Sequence, residues 1–218
     1  MTSKPAGQPD QPDIPGSLRA APADTTLDGL TLEASSLDRA DFSAGTAADV
    51  RLDQCRLAGV VLTGATLSRA LIQDTSIVGG SWANARTEEA RFRRVALRGV
   101  RMTGADLSSS SLEDVSFGDC RVDLASFRFA KLTRVRFERC RLDEIDFSGA
   151  ELVSVTFIEC VLAKALWADA TLTQCEMRGS DISGAGNPER LRGVRMPWPD
   201  VVSSAAVLAA AAGVEIVD

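Results

Sequence analysis

The sequence predicts an all-β rod in which the chain winds through stacked four-sided coils. Three observations carry that expectation: an unbroken five-residue repeat over residues 24–187, a twenty-residue recurrence of aromatic residues within it, and the absence of proline from the same stretch.

The repeat comes first because it fixes which side chains face inward. From Leu27 to Ile182, thirty of the thirty-two residues at five-residue intervals are Leu, Ile, Val, Met, Phe or Trp, with Ala47 and Thr87 as exceptions. In the column two residues earlier, Thr25 to Ser180, thirty of thirty-two are Ala, Val, Cys, Ser, Thr or Gly; Leu30 and Ile145 depart. Neither column holds a charge, and all forty-three charges of the repeat fall in the other three. A period of five suits neither a helix at 3.6 nor a strand at 2. It suits a chain that turns a corner once per pentad, with one large and one small residue pointing to a common axis.

The number of sides follows from the aromatic residues. Phe117, Phe137 and Phe157 recur at twenty, as do Phe127, Phe147 and Trp167, so four pentads make one coil and like stacks on like. About eight coils result, and at ~4.8 Å per coil the rod is ~38 Å long. Cys120, Cys140 and Cys160 share the same spacing in the small column and are expected to stack in the core. A coil alone has no core, so stability comes from stacking and both ends need covers.

The flanks differ in composition. Residues 1–23 hold five of the eight prolines among Gln, Asp, Ser and Gly, which predicts a disordered tail. Residues 24–187 form the repeat. Residues 188–218 contain the other three prolines, and the alanine-rich run Asp200–Ala212 before Gly213 predicts a C-terminal helix followed by a short strand over Val214–Asp218.

Composition excludes most chemistry. The chain has no histidine, which removes Ser-His-Asp and Cys-His nucleophile pairs, HExxH zinc sites and histidine proton shuttles. No catalytic residue, metal site or cofactor is expected. The five cysteines, Cys55, Cys120, Cys140, Cys160 and Cys175, all sit in the small inward column, and their odd number argues against a disulfide framework. The carboxylate pairs Glu88-Glu89, Glu113-Asp114 and Asp143-Glu144 read as solvated faces, because a solid rod offers no concave sugar site. The arginine clusters Arg91 to Arg101 and Arg134 to Arg141 read as mixed solvated surface rather than a nucleic-acid site, given a net charge of −6. No secretory or membrane-spanning segment is visible, so a cytoplasmic setting is expected.

Runs such as Ala65-Thr66-Leu67-Ser68, Ala105-Asp106-Leu107-Ser108 and Ala150-Glu151-Leu152 resemble the A-(D/N)-L-x-x signature of the pentapeptide-repeat family. The resemblance implies a right-handed quadrilateral β-helix. The ending, Leu191-Arg192-Gly193-Val194-Arg195 with its Ala-rich helix, is similar to that of actinobacterial members. Family members of known role resemble B-DNA and bind DNA gyrase in its place, relieving quinolone action. The resemblance therefore implies a protein-binding, DNA-mimicking solenoid with gyrase or another type II topoisomerase as partner, and often a dimer through the C-terminal segment. The alternative is a generic interaction scaffold with a different protein partner.

Charge speaks against strong mimicry along the whole rod. Its 24 acids and 19 bases leave −5, whereas ~38 Å of B-DNA carries roughly 22 phosphates. The loops that interrupt the repeats of plasmid-type quinolone-resistance members are missing. As a candidate partner or dimer surface the sequence offers Val153, Ile158, Val161 and Leu166, outward apolar residues within fourteen positions, with Leu124 and Phe129 one or two coils earlier.

Overall fold

The computed structural model describes residues 8–22 and 24–215. Its strands are all parallel, and from Thr31 onward they pair at an interval of twenty residues: Ser111 lies beside Lys131, Val115 beside Val135 and Phe117 beside Phe137. The same register runs from Thr31↔Arg51 to Phe157↔Met177, so the chain forms a right-handed quadrilateral β-helix of about eight coils.

The corner is what makes a five-residue step possible. All thirty-two residues from Gly29 to Gly184 at five-residue intervals have φ between 45° and 70°, and twenty-three of them are not glycine. A left-handed residue turns the strand through a corner, and for an ordinary L-residue it costs ~1–2 kcal/mol. The column contains no Val, Ile, Thr or Pro. β-Branched side chains are the worst fit to positive φ, and proline is locked near −65°.

The four faces are of two kinds. Face A (centred on Leu32, Leu52, Ile72 and every twentieth residue onward) and face B (Leu37, Leu57, Ile77 onward) run together as eight-residue strands at Leu71–Val78, Arg91–Arg98, Ser111–Gly118 and Lys131–Glu138. Face C (Phe42, Leu62, Trp82 onward) and face D (Ala47, Leu67, Thr87 onward) end in tight turns, where the fourth residue donates to the first, as in Ala65 N–H to Leu62 C=O at 3.0 Å. The small inward column divides accordingly. Ala65, Ala85, Ala105 and Ala125 follow the tight turns of face C, whereas Val95, Val115, Val135 and all five cysteines follow the wider corners of faces A and B. There the thiols donate to corner carbonyls, as Cys140 does to Phe117 and Glu138 at 3.4 Å each.

The core is continuous from Leu27 to Leu191. Phe117, Phe137 and Phe157 stack with centroids 4.7 and 5.2 Å apart and planes within 8°. Phe127, Phe147 and Trp167 form the opposing column and meet the first edge-on, at 6.0–6.3 Å. Both geometries suit the aromatic quadrupole.

The ends differ from what the sequence led us to expect. Over residues 8–22 the tail is not a disordered segment. Arg19–Ala20 pairs with Ser35–Ser36 and covers the open edge of the first coil, while Pro9 is buried against the rod. The tail has few apolar residues of its own, but the rod supplies acceptors for its backbone, the Asp114 and Asp74 carboxylates and the edge of the first coil. Residues 1–7 and 23 lie outside the described residues. At the other end a 3-10 helix spans Pro188–Leu191, and the expected single helix is two: α1 over Trp198–Ser203 and α2 over Ala205–Ala211, parted at the buried Ser204. α1 begins earlier than expected because Pro197 and Pro199 occupy its cap and first turn, where proline is tolerated. Val214 and Glu215 are not in a strand, and the rest of the expected terminal strand lies outside the described residues.

Ser109, an exposed corner residue at φ 57°, tests the corner constraint. Ser109→Val is expected to destabilise the rod by about 1–2 kcal/mol although the side chain faces water, and Ser109→Gly to be neutral or slightly stabilising. Urea denaturation of the two variants measures the difference.

Candidate interaction surface

Sorting outward residues by face locates the charge. Counting each corner with the face it ends, face A carries six acids and six bases, face B five and six, and face C five and four. Face D carries Asp28, Asp49, Glu88, Glu89, Asp106, Asp146 and Asp169 against Arg69, Arg86 and Arg128, a net of −4. Nearly all of the rod's imbalance sits on that one face. Arg69 pairs with Asp49 at 3.1 Å, Arg128 with Asp146 at 3.1 Å, and Arg190 reaches Asp169 at 2.9 Å. Glu88 and Glu89 form no salt bridge among the described residues, so the middle of the face stays negative.

The apolar candidates do not form one patch. Val153 lies on face A beside Thr133 and Thr173, Ile158 on face B beside Glu138 and Arg178, Val161 on face C beside Arg141 and Asp181, and Leu166 on face D beside Asp146 and Gly186. Residues three to five apart belong to successive faces of a four-sided coil, so closeness in sequence disperses them around the perimeter. The residues that do share a face are Leu166 with Leu124 and Phe129, which stand at the two corners bounding face D. They are 44%, 58% and 60% exposed. The Phe129 ring lies over Gly149, where an added Cβ would come within 2.4 Å of it, and the Arg128 guanidinium sits 5.5 Å from its centroid. Face D is thus net acidic, most so at Glu88, Glu89 and Asp106 in its middle, and apolar towards its C-terminal half.

Linear clusters of like charge disperse in the same way. Arg91, Arg93 and Arg94 are on face A, Arg98 on face B and Arg101 on face C. Asp143 and Glu144 meet Arg141 and Lys164, and Glu113 and Asp114 meet Arg134. One feature unseen in the sequence reading is the corner between faces A and B, where Asp74, Arg94, Asp114 and Arg134 stack twenty residues apart with alternating charge. The sign alternation was present in the column of corner residues and becomes visible only when that column is read at a twenty-residue interval.

The thiols are structural. All five are free and buried, and among the described residues no cluster of cysteines and carboxylates could hold a metal ion. The neighbouring Cys140 and burial push Cys120 and Cys160 up, and burial does the same to Cys55 and Cys175. Hydrogen bonds from Cys120 and Cys160 push Cys140 the other way, while the other four, held protonated in the core, are poor nucleophiles. Among the described residues no helix is long and apolar enough to cross a membrane.

The strand register defines a parallel β-helical solenoid. The pentapeptide repeat region model matches residues 80–147, and the pentapeptide repeats model (8 copies) matches residues 35–74 and 150–185, about two-thirds of the chain together. The chain belongs to the pentapeptide-repeat family. No curated protein matches it. Among solved structures it is similar to trypsin-treated QnrB1, a plasmid-mediated fluoroquinolone resistance protein, at 18% identity and a TM-score of 0.42, covering 87% of this chain and 99% of that one. It is also similar to HetL, a pentapeptide repeat protein involved in heterocyst differentiation regulation in the cyanobacterium Nostoc sp. strain PCC 7120, at 21% identity and a TM-score of 0.33, covering 79% and 92%. A thylakoid-lumen pentapeptide repeat protein of Arabidopsis thaliana aligns at 17% identity with a TM-score of 0.24, covering 58% and 72%.

The charged groups set a pH profile. Burial pushes Asp74 up, but hydrogen bonds from Arg94 and from the Asp13 N–H outweigh it and hold the carboxyl below its ordinary value of 3.8. Arg69 holds Asp49 down, Arg139 holds Asp119 down and Arg136 holds Glu138 down. A carboxyl lowered in the folded state stabilises it above the unfolded pKa and loses that contribution as pH falls through the folded value. The raised thiols act oppositely, contributing below the unfolded value of 9.0 and losing it above. With no histidine to titrate between, thermal stability is expected to be flat from about pH 5 to 8, falling below about 4 and above about 9. Melting curves across pH check this, and a transition near pH 6.5 would contradict it.

Proposed function

We propose that this chain is a non-enzymatic protein-binding rod and that face D is its contact surface. The observation that carries the reading is the charge asymmetry, −4 on one face while each of the other three lies within one unit of neutral. The apolar residues Leu124, Phe129 and Leu166 border or sit on the same face, and an interface needs apolar anchors as well as complementary charge. Such a face suits a cationic partner surface. The specific partner implied by family membership is DNA gyrase or a related type II topoisomerase, whose DNA-binding surface is cationic by necessity. Five buried free thiols suit a reducing compartment, and we place the protein in the cytoplasm.

The acid count sets the terms of this mimicry. Seven carboxylates over ~38 Å are a third of the roughly 22 phosphates on an equal length of duplex, so only a one-sided contact is imitated. A gyrase supercoiling assay with and without ciprofloxacin tests it. Micromolar protein is expected to alter supercoiling or relieve the drug, and Glu88→Lys/Glu89→Lys to lower that potency at least tenfold. No effect of the wild type discards the topoisomerase partner and leaves a scaffold with another protein.

A second contact belongs to the C-terminal cap. Trp198, Val202 and Val214 are 75%, 58% and 56% exposed, and we propose that a second copy of the chain covers them. Analytical ultracentrifugation is expected to give a dimer for the wild type and a monomer for Trp198→Glu/Val202→Glu. A monomer in both cases removes the dimer.

A further inference from the structure

The tail contains a repeat of its own. Gln8-Pro9-Asp10 is followed by Gln11-Pro12-Asp13, and the two aspartates use their backbone N–H groups alike. Asp10 N–H donates to Oδ1 of Asp114 at 3.1 Å, and Asp13 N–H donates to Oδ1 of Asp74 at 3.1 Å. The acceptors are forty residues apart, which is two coils, or about 9.6 Å at β-ladder spacing. Three residues of polyproline II advance about 9.3 Å. The tripeptide repeat therefore keeps pace with every second coil of the rod.

The acceptors are built into the rod. The Asp74 and Asp114 side chains are 4% and 5% exposed. Each is clamped from the next coil by an arginine at two points: Arg134 Nε and Nη2 each donate to Asp114 at 2.8 Å, and Arg94 holds Asp74 through the same atoms. The arginines hold one lone pair on each Oδ1 and one on each Oδ2, and a further lone pair on each Oδ1 takes the tail. Buried carboxylates gain from each added charge-assisted hydrogen bond, so the ladder favours backbone N–H groups brought to it at this spacing. Beside the ladder Pro9 is buried, and with Gln8 and Gln11 it forms one wall of a cavity over face B whose opposite wall includes Arg98, Ser116, Gly118 and Arg136. Proline supplies a preformed extended chain and so lowers the ordering cost of docking.

We propose that the Asp74–Arg94–Asp114–Arg134 ladder is a docking site for an extended, proline-containing peptide, read through main-chain N–H groups three residues apart, and that this chain's own tail fills it in cis. The tether is short: five residues separate Asp13 from Arg19, which is held by pairing with Ser35. A short tether gives a high effective concentration, so the site stays filled while the tail keeps its polyproline shape. Ladder and cavity occupy the A/B corner and face B, away from face D, so this inference stands or falls independently of the partner proposed above.

The test uses the full chain. Hydrogen exchange is expected to show the Asp10 and Asp13 amides exchanging at least roughly tenfold more slowly than that of Gln11, between them. The variant Pro9→Gly/Pro12→Gly is expected to lose that protection while Phe137 in the core keeps its own. A synthetic peptide of residues 8–15 at 1 mM is then expected to bind this variant, with at least roughly tenfold weaker binding to the wild type, whose site is occupied. Equal exchange at residues 10, 11 and 13 overturns the proposal. So does a peptide that binds neither protein, or both equally.

Discussion

Everything in this molecule depends on one backbone event repeated thirty-two times, a single left-handed residue that turns the strand after every pentad. Because each corner repeats the last, coils superimpose and backbone hydrogen bonds pass from coil to coil, as Arg139 N–H does to Ile158 C=O at 2.8 Å and Arg141 N–H to Cys120 C=O at 3.0 Å. No pentad is self-sufficient. The strain of twenty-three non-glycine corners is tolerated because inter-coil ladders and a continuous core hold the shape, which is the nearest-neighbour stability of solenoids. The same regularity decides what may sit outside: any residue tolerant of positive φ at the corner, and almost anything elsewhere.

That freedom explains why the fold was legible and the working surface was not. The inward columns are constrained by volume, so the aromatic ladder of Phe117, Phe137 and Phe157 and the cysteine column of Cys120, Cys140 and Cys160 could be placed from spacing alone. The corner column carried an equally strong signal in its lack of Val, Ile, Thr and Pro, a pattern set by backbone sterics rather than hydrophobicity. Outward residues obey no such rule. Val153, Ile158, Val161 and Leu166 looked like neighbours because they are close in sequence, yet the four-sided coil sends each to a different face. Leu124, Phe129 and Leu166, up to forty-two positions apart, lie on or at the corners of one.

The N-terminal tail shows a different limit of sequence reading. Its proline content argued for disorder on the premise that a segment must bury apolar surface of its own to be ordered. Pro9 is the single residue over 8–22 that is fully buried, so the premise about apolar content was sound. What orders the segment is complementarity of register, two N–H groups meeting two buried carboxylates, together with strand pairing at Arg19–Ala20. Such matching belongs to neither segment alone, and composition cannot contain it.

Charge follows the same logic at larger scale. A net of −5 spread evenly over the rod would be a weak field, screened within about 8–10 Å at physiological salt. Gathered mainly on one face, with Glu88 and Glu89 at its middle forming no salt bridge among the described residues, the excess gives the rod a side on which a cationic surface is attracted and others on which it is not. On faces A and B, Arg94, Arg134 and Arg139 are spent within the fold, clamping Asp74, Asp114 and Asp119 from the next coil. An arginine committed to a stacked aspartate both ties two coils and removes a positive charge from the field a partner meets. Face D keeps its negative character because it has too few arginines to do this: three against seven acids, two of them already bound to Asp49 and Asp146.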